Sequence, residues 1–134
     1  MSNLKRFLKL SDLTEIRTGF TFREKIEEVE SGNAHVLQIK DIRNIATDTC
    51  SYTLFADALP QIDWQGKDNA IVSPESVLLP CRGEYLKAHY FVGYQDQSKA
   101  LPLIVSSQFL ILMPNQNVLP EYLCWYLNQP NVQY

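Results

Sequence analysis

A chain of 134 residues with 46% hydrophobic and 11% aromatic residues has the size and composition of one globular domain with a real core. No uninterrupted apolar run reaches the ~18–20 residues of a membrane span, and the opening MSNLKRFLK lacks a signal peptide's apolar stretch, so a cytoplasmic location is expected. The net charge of −3 argues against gripping nucleic acid by bulk electrostatics, but the charge is uneven: residues 1–43 carry eight basic against seven acidic residues, and residues 44–134 four against eight.

Ser11 is placed to cap a short helical turn through residues 12–15, because its hydroxyl accepts from an orphan amide. Thr18-Gly19 then punctuates the chain, and residues 23–31 form a charged, exposed helix or loop that Gly32-Asn33 ends. Residues 35–42 read as a strand with Leu37 and Ile39 on one face and Gln38 and Lys40 on the other. Residues 44–70 have little regular pattern, with turns at Leu59-Pro60 and Gln65-Gly66. Residues 76–82 predict a strand whose Pro80, lacking an amide hydrogen, belongs at an edge or bulge.

Residues 89–94 and 103–112 are further strands, and the second carries three polar residues, Ser106, Ser107 and Gln108, in a buried run that should have a reason for them. Residues 119–128 open a helix: Pro120 suits the first helical position and Glu121 complements the dipole. Tyr122, Leu123, Tyr126 and Leu127 are expected to form its buried stripe, with Trp125 on another face.

The residues give little sign of catalysis. Cys81 and His89 are the residue types of a nucleophile and its base, yet no third orienting group accompanies them. Phosphate-loop, dinucleotide, serine-elbow and zinc-protease motifs are absent. Glu27 and Glu28 lie in a charged stretch and read as solvated surface. Three widely spaced cysteines, Cys50, Cys81 and Cys124, and two histidines, His35 and His89, make neither a disulfide framework nor a metal knuckle, so reduced thiols and no metal or cofactor are expected.

The segment from Glu15 to Lys25 is different. It gathers Arg17, Thr18, Thr21, Arg23 and Lys25 round Gly19, with Phe20 and Phe22 interleaved. Arginine and threonine donate to phosphates and base edges, and glycine permits close backbone approach to a ligand. An exposed turn with its phenylalanines buried is the plainer reading. Arg82, beside Gly83 at a strand end, is either a surface ion-pair partner or a base reader.

Five segments in order, LSDLTEIRTGFTF (10–22), VLQIKDI (36–42), VLLPCRG (77–83), IVSSQFLIL (104–112) and LPEYLCWYLNQP (119–130), carry a resemblance. Together they are similar to the DNA target-recognition domain of type I restriction–modification specificity subunits. That domain begins with a leucine–aspartate turn leading to threonine–glycine. An early strand ends in Asp-Ile, a central strand in Arg-Gly, and a Pro-x-Tyr-Leu helix lies near the end. The match spans residues 10–128. It departs at Pro74-Glu75, where the family has Gly-Asp, and the family's long helical spacer is expected to be absent or truncated after residue 134.

The resemblance implies an α+β fold, a bent mixed β-sheet with short helices at its ends, in one domain over residues 1–134. It implies a non-catalytic role, reading one half of a split duplex-DNA target. A methyltransferase subunit using S-adenosylmethionine, and through it an ATP-driven restriction subunit, would do the chemistry, with self-association able to pair half-sites. Expected DNA-binding residues are Arg17, Thr18, Thr21, Arg23, Lys25, Gln38, Lys40, Arg82, Ser106, Ser107 and Gln108. A protein-interaction module without DNA contact is the alternative, which the acidic net charge favours.

Overall fold

Period-two alternation of apolar side chains organises the chain into layers. The computed structural model describes residues 14–46, 53–81, 87–116 and 118–129. Within them lie eight strands and two α-helices: β1 (Thr14–Thr18), β2 (Ala34–Leu37), α1 (Ile39–Ala46), β3 (Thr53–Phe55), β4 (Gln61–Ile62), β5 (Ser76–Pro80), β6 (His89–Gly93), β7 (Leu103–Val105), β8 (Phe109–Pro114) and α2 (Pro120–Leu127). The fold is α+β, with two mixed sheets where one bent sheet was expected. Five strands run in the order β1-β8-β5-β6-β3 and three in the order β4-β2-β7. The pairs β3/β6 and β2/β7 are parallel, and the other ladders are antiparallel.

Alternation distributes each strand's side chains between two clusters. Phe109 and Ile111 of β8 and Leu78 of β5 meet Leu103 and Val105 of β7 and Leu37 of β2 in the main core, with Ile42, Leu54, Ala56, Leu59, Val72 and Phe91. The intervening residues face outward. Val77 and Leu112 pack under Leu123, Cys124 and Leu127 of α2. Ala34, Val36, Ile62 and Ile104 are covered by Phe20, Phe22, Ile26 and Trp64 from the loops. Burying side chains such as these contributes about 1.5–3 kcal/mol each, so the layering is the main source of stability.

Several sequence-based expectations need correcting. The strand expected over 35–42 ends at Leu37, and Ile39–Ala46 is helix. Gln38 is the hinge: its N–H donates to the Asp41 carboxylate at 2.9 Å, while its carbonyl accepts from the Asp41 N–H at 3.0 Å. That reciprocal arrangement resembles a capping box and starts a helix where alternation alone suggested a strand. Lys40 therefore stands on a helix, ion-paired with Glu28, and not on a strand face. Thr14 and Glu15 belong to β1 and not to a capped turn; Ser11 and Asp12 lie outside the described residues.

Pro80 closes a central strand, where a missing donor would ordinarily cost a ladder bond. The β5–β6 pairing runs only from Ser76 to Leu78. The next residue, Cys81, donates its N–H toward β8, to Gln108 O at 2.8 Å. Backbone groups alternate sides along a strand, so the Pro80 nitrogen faces the other way, past the end of the ladder.

On α2 the buried side is Leu123, Cys124 and Leu127, while Tyr122 and Tyr126 are exposed with Trp125. Asn128, just past the helix, determines this rotation. Its side chain donates to Ala88 O at 2.9 Å and accepts from Ala88 N at 2.7 Å, and the Cys124 thiol bonds the same carbonyl at 3.3 Å. The clamp turns the small thiol onto the sheet and the aromatic rings outward. Burial pushes the Cys124 thiol up to about 12, so it stays protonated at neutral pH.

Glu75 has φ 73°, the left-handed region that non-glycine residues enter at a cost of ~1–2 kcal/mol. It follows Pro74 in a turn whose third residue favours glycine. We expect Glu75→Gly to raise stability by about 0.5–1 kcal/mol and Glu75→Val to lower it by about 1–2 kcal/mol, read by chemical denaturation. Asn128→Ala, which removes the partner of the buried Ala88 N–H and leaves the Ala88 carbonyl only the weak Cys124 thiol, should cost about 1–3 kcal/mol in the same assay.

His89, buried at the start of β6, has its basicity lowered by burial, opposed by a hydrogen bond to Lys87 O. A histidine harder to protonate when folded makes the unfolded chain bind more protons. Stability should therefore fall as pH drops below about 6.5 toward the lower folded value. His89→Gln should flatten that slope in thermal melts between pH 7 and 5.

Candidate nucleic-acid interface

The three polar residues in the expected 103–112 strand have a structural reason. That segment is two strands, β7 in the small sheet and β8 in the large one, and Ser106, Ser107 and Gln108 make the turn between them. Phe109 N bonds back to Ser106 O at 3.1 Å, closing the turn, and Ser107 and Gln108 are exposed at its tip. Ser106 is buried, and its hydroxyl has no hydrogen-bond partner among the described residues.

Three other segments hydrogen-bond to this turn. From the end of β1, Gly19 N donates to Phe109 O at 3.0 Å and Phe20 N to Val105 O at 2.7 Å. From the end of β2, Leu37 O accepts from Ser106 N at 3.1 Å. From the end of β5, Cys81 N reaches Gln108 O at 2.8 Å. One end of the molecule thus gathers exposed Thr18, Ser107 and Gln108, half-buried Gln38, and Cys81, the residue before Arg82. Arg82 and Gly83 lie outside the described residues.

Gly19 is required for this convergence, though not by approach to a ligand. A Cβ there would lie 2.0 Å from Ser106 O and 2.5 Å from Val105 O, both backbone atoms. The glycine lets the end of β1 lie directly on the turn.

The remaining candidates occupy different settings. Arg17 is half-buried on the edge strand and turned inward: its guanidinium donates to Asn69 O, and to Ile71 O at 2.8 Å. It ties the 68–71 segment to β1. Thr21, Arg23 and Lys25 are exposed on the segment that crosses the small sheet, where Phe20 and Phe22 pack edge-on against Trp64 with Phe20–Trp64 centroids 4.6 Å apart. The interleaved phenylalanines hold this charged stretch on the surface. Lys40 is exposed, and Glu28 holds its ammonium group above the ordinary lysine range.

The Cys81–His89 pair is not assembled as nucleophile and base. His89 lies opposite Leu78 in the β5–β6 register, and its Nδ1 is bonded to Lys87 O at 3.1 Å. Among the described residues no three His, Cys, Asp or Glu side chains are grouped to hold a metal, and no helix is long and apolar enough to cross a membrane. What this end offers is a set of hydroxyls and amides that donate and accept hydrogen bonds, beside a loop that exposes Arg23 and Lys25.

In comparison with known proteins, no family model and no curated protein sequence matches the chain.

Gly19→Ala should destabilise the domain by about 2–3 kcal/mol, because the added methyl meets backbone that cannot rotate away. Thermal melting checks this, and Thr18→Ala, at an exposed position, should change stability by no more than ~0.5 kcal/mol.

Proposed function

We propose that this domain reads one half of a split duplex-DNA target, as a non-catalytic target-recognition domain like those of type I specificity subunits. The observation that carries the reading is the convergence of three sequence-distant segments on the 106–108 turn. Each contains residues quoted in the resemblance, and each delivers a polar group or leads directly to one. Glutamine pairs bidentately with adenine and arginine with guanine, and each such pair is worth about 1–3 kcal/mol of discrimination. Gln108, Gln38 and Arg82 are the proposed base readers; Thr18, Thr21, Ser107, Arg23 and Lys25 hold the phosphate backbone. Lys40 contributes only after leaving Glu28, and Arg17 and Ser106 support the surface from beneath.

On this reading a cytoplasmic methyltransferase subunit and a restriction subunit supply the chemistry, and the domain needs no cofactor. A protein-interaction role has one observation in its favour, the exposed aromatic side of α2.

The isolated chain should bind duplex DNA weakly, since its net charge is −3. If ~3–5 phosphates are neutralised, log affinity should fall against log salt with a slope of about −3 to −4.5. Gln108→Ala and Arg82→Ala should weaken binding to a cognate duplex by about 1–3 kcal/mol with the melt unchanged. Arg23→Ala and Lys25→Ala should each reduce the salt slope by about 1. Absence of salt-dependent binding at all, or variants that alter only the melt, would overturn the DNA reading.

A further inference from the structure

The helix α2 carries an aromatic ridge that the DNA reading does not use. Tyr122, Trp125 and Tyr126 are 56%, 56% and 47% exposed, and Leu119 precedes them at 67%. Their rings form one surface: Tyr122 lies 5.7 Å from Trp125 at 34° and 6.5 Å from Tyr126 at 19°. Three large rings side by side on an eight-residue helix are an apolar surface of the kind that marks a contact site. The charge beside the first turn of the helix is negative, while Lys87 donates to Asn128 O at 3.1 Å just past its other end. Glu121 is on the same helix, which has no basic residue in its last turn. Beyond burial, which is the larger cause, Glu121 and Glu75 both push the Tyr90 phenol up.

The occupant that fits is both apolar and cationic, since ammonium and guanidinium groups are attracted to ring faces and to Glu121. The chain itself carries such a segment in LKRFLKL, residues 4–10, where Leu4, Phe7, Leu8 and Leu10 alternate with Lys5, Arg6 and Lys9. Reach is sufficient. Thr14 pairs with Pro114 on β8. The six residues from Pro114 to Pro120 span no more than about 22 Å, and the seven residues from Phe7 to Thr14 reach about 23–25 Å when extended.

We propose that residues 4–10 of this chain dock on the Tyr122–Trp125–Tyr126 ridge, joining the segment ahead of β1 to α2. The contact is independent of DNA. It is tested in the whole chain without DNA, with Trp64→Phe leaving Trp125 as the single tryptophan. Introducing Phe7→Glu with Leu8→Glu should raise acrylamide quenching of Trp125 about two-fold and shift its emission to the red, because the ring loses an apolar cover. The change should be constant across a dilution series.

A second measurement does not depend on the charged variants folding. With Phe7→p-benzoylphenylalanine, irradiation should produce an intramolecular cross-link to a peptide containing residues 119–126. Quenching that ignores the Phe7 and Leu8 changes, or cross-links that map elsewhere, overturns the proposal. Trp125 protection that fades on dilution, with cross-links between molecules, overturns it in favour of a second copy as the occupant.

Discussion

Everything at the candidate interface depends on one geometric constraint: the chain must leave the small sheet after Val105 and enter the large one at Phe109. Two sheets sharing a core cannot be crossed by a straight strand, so the backbone turns over residues 106–108 and exposes its polar groups at the tip. The turn then acts as an acceptor and donor for three neighbours. Gly19, Leu37 and Cys81 each satisfy a backbone group there, and leaving such groups unpaired in a buried setting would cost about 1–3 kcal/mol apiece. The same bonds that hold the sheets together bring Thr18, Gln38 and Gln108 to one end. Structural necessity and candidate site are therefore hard to separate at this point, which is why exposed tip residues and not Gly19 are the informative sites to change.

Much of the layering could be read from the sequence because alternation is a direct consequence of pleating. The strands at residues 76–82 and 89–94 were close to those observed at Ser76–Pro80 and His89–Gly93. Sequence and structure differ where two periodicities coincide over a few residues. Leu37 and Ile39 with Gln38 and Lys40 satisfy a period of two, while Ile39, Ile42 and Ile45 satisfy a helical spacing. The choice was made by Asp41, whose carboxylate captures the Gln38 amide. Local hydrogen bonding decided what hydrophobic pattern left open.

The site was less legible than the fold, for a reason visible in Arg17 and Lys40. Both are cations, the residue type that donates to phosphates. Yet one guanidinium is bound to the carbonyls of Asn69 and Ile71, and the one ammonium is paired with Glu28. Residue type announces what a side chain can bind, whereas competition from the protein's own backbone depends on contacts 52–54 residues away for Arg17. The polar triplet at 106–108 was the opposite case. Its anomaly within an apolar run was evident, and its explanation needed the second sheet.

The rotation of α2 shows how a small number of polar bonds can control which surface a protein presents. On hydrophobicity alone, Tyr122 and Tyr126 should compete with Cys124 for the sheet, since an aromatic ring buries far more area than a thiol. The Ala88 backbone is buried, however, and must keep its hydrogen bonds. Asn128 supplies both of them, and Cys124 fits beneath. Tyrosine tolerates the outer position because its hydroxyl end remains hydrated while its ring lies along the surface. Three rings are thereby committed to solvent or to a partner by a clamp that contains none of them.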